Sequence, residues 1–205
     1  MAFQLGDKTK TALLIMDMQN DIVHEKSAMA QHMGFAQTVR DSGVVKNIRR
    51  LLDASRAANI SVVHIVVDFS VGKQFQMPDR GQFFKAITGG APMLQKGTWG
   101  AQIHDDLAPA AGEQVIGKSM FSAFASSNLH EVLRARNVTQ LILTGVATEF
   151  VVDSTSWNAS DLGYNVIIPR DGCCGQTLKE HEDAIRRMAA RADISSTDEL
   201  IAALR

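Results

Sequence analysis

Leu141-Ile142-Leu143-Thr144-Gly145-Val146-Ala147-Thr148-Glu149-Phe150-Val151-Val152 decides the reading of this chain. Its first half is an apolar, β-branched run, the composition of a strand covered on both faces. From Thr148 to Leu162 the pattern turns helical, and Gly163 closes it. The stretch therefore reads as a buried strand running straight into a helix, with Thr148 as N-cap. The first turn of that helix, Glu149-Phe150-Val151, carries backbone N–H groups with no intrahelical acceptor. Such a terminus suits an oxyanion or a carboxylate. An ordinary buried strand–helix turn has the same signature, so the turn alone leaves both readings open.

The same alternation extends outward. Residues 12–16 form a first strand ending at Asp17, and residues 61–67 a β-branched second strand. Between them Val44, Val45, Ile48, Leu51 and Leu52 repeat at helical spacing. Residues 114–116 are a short third strand, 141–146 the fourth, 164–168 the fifth and 193–195 a brief sixth. A helix is expected over 127–136. The capping patterns Thr177-Leu178-Lys179-Glu180 and Ser196-Thr197-Asp198-Glu199 open two more. Residues 68–111 hold much of the Gly and Pro and read as functional loop. Strands alternating with helices imply right-handed crossovers and a parallel sheet, so 1–205 is read as one doubly wound α/β domain.

Composition narrows the function. With 205 residues, 45% hydrophobic, the chain can bury about 70% of its unfolded surface without staples. Lys and Arg total 21 against 22 Asp and Glu, which gives no electrostatic reason to expect nucleic acid or an anionic membrane as partner. The first eight residues lack the pattern of a signal peptide, and no apolar run reaches the length of a membrane span. The two cysteines, Cys173 and Cys174, are neighbours and cannot staple distant segments. The expected compartment is the cytoplasm.

In open parallel sheets ligands bind beyond the carboxyl ends of the strands. Asp17 follows the first strand, Lys118 the third, and the 145–148 turn the fourth. Alone, each has an ordinary explanation. An Asp after a strand is often a turn former, and a Lys is usually solvated. Asp17, however, is followed by Met18-Gln19-Asn20-Asp21, with no obvious helix to cap. A carboxylate and an ammonium sharing a closed pocket would shift each other's proton affinity, which is the usual device of acid–base catalysis.

Asp17 in Leu14-Ile15-Met16-Asp17-Met18-Gln19-Asn20-Asp21, Lys118 in Gly117-Lys118-Ser119-Met120-Phe121-Ser122-Ala123-Phe124, and Thr144-Gly145-Val146-Ala147-Thr148 together resemble the isochorismatase-like hydrolases. Asp171-Gly172-Cys173 and His181-Glu182 look like the C-terminal part of that family. The resemblance spans nearly the whole chain in order. It implies a six-stranded parallel sheet with helices on both faces and an Asp17–Lys118 pair beside the pocket. It also implies a cis peptide between Val146 and Ala147 that helps aim backbone N–H groups at an oxyanion. Family members usually assemble as homodimers or homotetramers.

One position departs from the pattern. Most of the family carries its nucleophilic cysteine where this chain has Val151. Valine has no nucleophilic atom, so the resemblance implies chemistry without a thioester. Asp17 would serve as general acid or base, Lys118 would tune it, and water would attack directly, on a vinyl ether or a C–N or C–O bond. The competing reading is a binding protein that kept the pocket and lost catalysis. Thr148 lacks an evident base other than Asp17. Ser154 lies a turn further on, and Cys173 reads as a small buried hydrophobe.

No metal and no cofactor are expected. The segment after the second strand, where nicotinamidase-like members bind metal, has no histidine, and His64 lies inside the strand. Gly112-Glu113-Gln114-Val115-Ile116-Gly117-Lys118-Ser119 formally fits a phosphate-loop pattern, but its apolar strand would lie inside the loop. Phe35, Phe69, Phe75, Phe83, Phe84, Trp99, Phe121 and Phe124 crowd the loops and strand ends, and some should line a mainly apolar pocket. Gln19, Trp99, Phe121 and Phe150 are the candidate pocket residues for a small-molecule substrate.

Overall fold

The computed structural model describes residues 4–71, 78–89 and 93–205. The strands are β1 (Thr11–Met16), β2 (Ser61–Val67), β3 (Gln114–Lys118), β4 (Gln140–Val146), β5 (Asn165–Pro169), β6 (Cys173–Cys174) and β7 (Asp193–Ser195). They form one sheet of order β3-β2-β1-β4-β5-β7, with β6 paired to β4 off this path. Every pairing is parallel. The expected six strands are present, and the two-residue β6 is a seventh that the sequence pattern does not separate from its surroundings. It forms because β5 pairs with residues 140–142 of β4, and β6 takes up the ladder again at Gly145 and Val146.

The helices are α1 (Asn20–Val23), α2 (Ala28–His32), α3 (Phe35–Ser42), α4 (Val44–Ala57), α5 (Gln82–Gly89), α6 (Leu129–Ala135), α7 (Asp153–Asp161), α8 (Leu178–Met188) and α9 (Thr197–Leu204). Strand side chains alternate between two cores, as the period of two requires. Leu14, Met16, Val63, Ile65, Leu141 and Leu143 face Leu129 and Leu133 of α6, Ala159 of α7, and Ala184, Ile185 and Met188 of α8. Leu13, Ile15, Val62, Ile142 and Ile167 face Val39 of α3, Ile48, Leu51 and Leu52 of α4, and Leu200 and Leu204 of α9. The sheet is buried on both faces, which is why its strands read as continuous apolar runs.

Several expectations need correction. A helix does begin soon after Asp17, at Asn20, but Gln19 is its N-cap and Asp17 takes no part in capping. The helix expected from Thr148 to Leu162 is a π turn over Thr148–Val152 followed by α7, and its N-cap is Ala147. The 68–111 region is not all loop. It contains α5 and 3₁₀ turns at Trp99–Ala101 and Asp105–Leu107. Helices of four or five residues such as α1 and α2 are too short to establish an apolar repeat.

Candidate active site

Asp17 continues β1 by one residue, its N–H donating to Ile65 O at 2.9 Å. Its backbone is left-handed, with φ 58°, a conformation uncommon for any residue but glycine and easiest for Asp and Asn. Lys118 ends β3, in register with Val67 of β2. With β2 between them, the two main chains stand about two strand spacings apart, roughly 9.6 Å. A long lysine side chain spans that gap. Lys118 Nζ donates to Asp17 Oδ2 at 2.9 Å and to Met120 O at 2.9 Å. The side chains are 3% and 9% exposed, so water screens the pair little.

Asp17 Oδ1 is buried without a hydrogen-bond partner among the described residues. Burial holds the Asp17 carboxyl above its ordinary range, outweighing the opposing pull of Lys118. One carboxylate oxygen is fixed, and the other has no donor among the described residues. A buried carboxyl paired with an ammonium through one oxygen is chemically able to exchange a proton with a small molecule. Lys118 is also the lysine of the formal phosphate-loop pattern. It lies at the end of a strand and faces Asp17, which removes the phosphate-loop reading.

The turn after β4 carries a cis peptide between Val146 and Ala147. Ala147 O accepts two N–H groups, from Phe150 at 3.2 Å and from Val152 at 3.3 Å. Val151 is buried and packs into the core shared with α6, α7 and α8. Gly145 is required here. It has φ 137°, and a Cβ at this position would run into the Met16 carbonyl.

Thr148 does not cap with its hydroxyl. Thr148 Oγ1 lies 2.8 Å from His181 Nδ1, and both residues are buried. The sequence reading missed this partner, although a signal for it existed. His181 shares its helix face with Ala184, Ile185 and Met188, so a polar ring is placed on an apolar stripe. Glu149 Oε1 accepts from Gln176 N at 2.8 Å, and burial pushes its carboxyl up. Cys173 and Cys174 form β6, beside the end of β4. They pair with Gly145 and Val146, the residues leading into the turn. Both thiols are buried, with their proton affinities pushed up, and Cys173 Sγ donates to Leu143 O. Ser154 Oγ is bonded to Phe150 O at 2.6 Å.

The candidate pocket residues divide. Phe121 stacks on Phe150 with centroids 5.6 Å apart, and Phe84 of α5 meets Phe121 edge-on at 5.4 Å. These rings join the loop after β3 to the turn after β4, across the carboxyl ends of β2 and β1. Gln19 and Trp99 have other partners among the described residues. The Gln19 carboxamide is consumed by main chain, donating to Val67 O and Ala101 O at 3.0 Å each and accepting from Val67 N at 2.7 Å. It pins the end of β2 to Ala101. Trp99 is 45% exposed and packs edge-on against His24 at 4.9 Å. Phe124 stacks on Tyr164 at 5.9 Å, before β5, and Phe35 is core. Phe75 and the side chain of Phe83 lie outside the described residues.

His64 is buried, with Nε2 2.9 Å from Glu113 Oε2. Arg56 of α4 grips the same carboxylate at 2.8 and 2.9 Å. This cluster is structural. Among the described residues no group of three or more His, Cys, Asp or Glu side chains could hold a metal ion, and no helix is long and apolar enough to cross a membrane.

The isochorismatase domain matches residues 11–199. A solved isochorismatase family protein from Desulfovibrio vulgaris superposes with a TM-score of 0.79 at 29% identity, covering 95% of this chain and 98% of that one. The ureidoacrylate amidohydrolase RutB of Rhizobium rhizogenes is 29% identical over 183 residues, 80% of this chain and 70% of its own. A protein of Arabidopsis thaliana described as a probable inactive nicotinamidase is 33% identical over 174 residues, 83% of this chain and 84% of its own. The domain match and these relatives define a hydrolase domain of the isochorismatase type. The chain belongs to the isochorismatase family.

Proposed function

We propose that the protein hydrolyses a small molecule by acid–base chemistry at Asp17 and Lys118, with water attacking directly and no covalent enzyme intermediate. The observation that carries this reading is the buried 2.9 Å contact between Lys118 and Asp17, with Asp17 Oδ1 left unpartnered. Burial raises the proton affinity of the Asp17 carboxyl, which favours proton transfer to and from a bound molecule, and Lys118 stabilises the anion once the proton has left. On a vinyl ether, Asp17 would deliver its proton to the alkene carbon and leave an oxocarbenium. Water would add to that cation, its proton returning to Asp17, and the hemiketal would collapse to a carbonyl and an alcohol. On an amide-type C–N bond, Asp17 as base would take the proton of the attacking water and pass it to the leaving nitrogen.

In this reading Val151 occupies the position that holds the nucleophilic cysteine in other family members. The backbone of Val146, Ala147 and Thr148 faces the oxygen that gains charge, and Phe121 and Phe150 wall the pocket. The same reading sets the protein in the cytoplasm as a homodimer or homotetramer with a small-molecule substrate, needing neither cofactor nor metal.

A second reading is a binding protein that kept the pocket and lost turnover. It is favoured by Val151 and by the 33% identical relative described as probably inactive. The deciding experiment is a hydrolysis screen over amides, ureido compounds, esters and vinyl ethers, with the wild type beside Asp17→Asn. Turnover by the wild type that disappears in the variant supports the enzyme. Ligand binding without turnover across the panel supports the binding protein.

A further inference from the structure

A side-chain hydrogen bond ties the turn after β4 to α8, with Thr148 Oγ1 2.8 Å from His181 Nδ1. Thr148 has no exposed surface, and its hydroxyl is engaged by the His181 ring. Thr148 opens the π turn in which Phe150 and Val152 both donate to Ala147 O. Fixing Thr148 to α8 therefore fixes the start of the segment that carries Val151. The approach of the turn to α8 is built in on the main-chain side as well. A Cβ on Gly175 would come within 2.7 Å of Glu149 Oε2 and 2.9 Å of His181 N, so only glycine permits this closeness.

We propose that His181 is a positioning residue for the 147–152 turn, holding its backbone through the Thr148 hydroxyl. The consequence for catalysis rests on the reading of that turn as the site of the substrate oxygen; the tie itself does not. The groups around the ring are consistent with a fixed, uncharged imidazole. Burial lowers its proton affinity, opposed by Glu182 and supported by Arg170. A neutral ring offers one donor and one acceptor nitrogen, and a threonine hydroxyl can complement either.

The test needs no substrate, so it separates this proposal from the acid–base reading. Amide hydrogen exchange is followed by NMR in the wild type, Thr148→Val, Thr148→Ser and His181→Gln, and the ring nitrogens of His181 are read in the first three. Thr148→Val keeps the shape and removes the hydroxyl, whereas Thr148→Ser keeps the hydroxyl. We expect the Phe150 and Val152 amides to exchange about tenfold faster in Thr148→Val and His181→Gln, with β1 and β4 unchanged. Thr148→Ser should restore the wild-type rates and ring-nitrogen signals, and Thr148→Val should shift those signals. Unchanged turn exchange in Thr148→Val and His181→Gln would overturn the proposal. So would acceleration spread evenly over β1 and β4, or a serine variant as fast as the valine one.

Discussion

Asp17 and Lys118, 101 positions apart in sequence, meet at 2.9 Å in a site nearly closed to solvent. The pair is asymmetric. Oδ2 of the carboxylate is engaged, Oδ1 has no partner among the described residues, and Lys118 shares its ammonium between Asp17 and the Met120 carbonyl. Removing either partner should therefore have different consequences for the fold and for turnover.

Asp17→Asn should keep the fold and lose at least about 100-fold in turnover, the contribution typical of a positioned acid or base. Circular dichroism and steady-state assays on any substrate found in the hydrolysis screen check both halves. Wild-type rates in this variant would remove Asp17 from the mechanism.

Lys118→Ala leaves a buried carboxyl without its counter-charge, and breaking such a pair costs about 3–5 kcal/mol at neutral pH. The sign of the pH dependence follows from Asp17. Its folded carboxyl is already above its ordinary value, and without Lys118 it rises further. The folded variant then binds more protons than the unfolded chain over that window, so its stability should increase as pH falls from neutral toward the ordinary carboxylate range. Urea melts of the variant at several pH values read this directly.

Glu113, gripped by Arg56 and His64, has its carboxyl lowered from 4.5 to about 2. A depressed carboxylate stabilises the fold above its unfolded value and loses that contribution as pH falls through the folded one. Acid destabilisation from this cluster should thus develop between pH 4.5 and about 2. Glu113→Gln should cost about 2–3 kcal/mol at neutral pH and flatten the acid limb of the stability curve.

Gly145→Ala should be among the most damaging single substitutions. The backbone is at φ 137° and the added methyl would meet the Met16 carbonyl. A loss of about 3 kcal/mol or more, seen as a lower thermal midpoint or as insoluble protein, is expected. A stable Gly145→Ala protein would contradict this packing at the turn.

Val151→Cys should fold normally, since the two side chains are close in size. If residue 151 holds the nucleophile position, the new thiol should alkylate faster than free cysteine at neutral pH. Cys173 and Cys174 give little background because both are buried with raised proton affinity. A rate at or below that of free cysteine would place the thiol in inert core instead.

The sheet and the Asp17–Lys118 pair were legible because each rests on a long-range regularity. Doubly buried strands are apolar throughout, and parallel strands bring their carboxyl ends to one edge. What escaped was local. Gln19 follows the catalytic candidate by two residues, but which partner its amide takes depends on Val67 and Ala101, a contact with no one-dimensional trace. Thr148 has the residue type of an N-cap, but the π turn moves the cap to Ala147 and directs the hydroxyl to His181. The short helices α1 to α3 give too few turns to separate from loop.

The strand order has a consequence for how the chain can be divided. β1 and β2 lie side by side between β3 and β4. A cleavage between β2 and β3 would therefore yield one fragment with two interior strands and the acid, and another with a two-strand gap and the amine. Each fragment would carry one half of the Asp17–Lys118 pair and neither would carry both, so the contact depends on a sheet assembled from both parts of the chain.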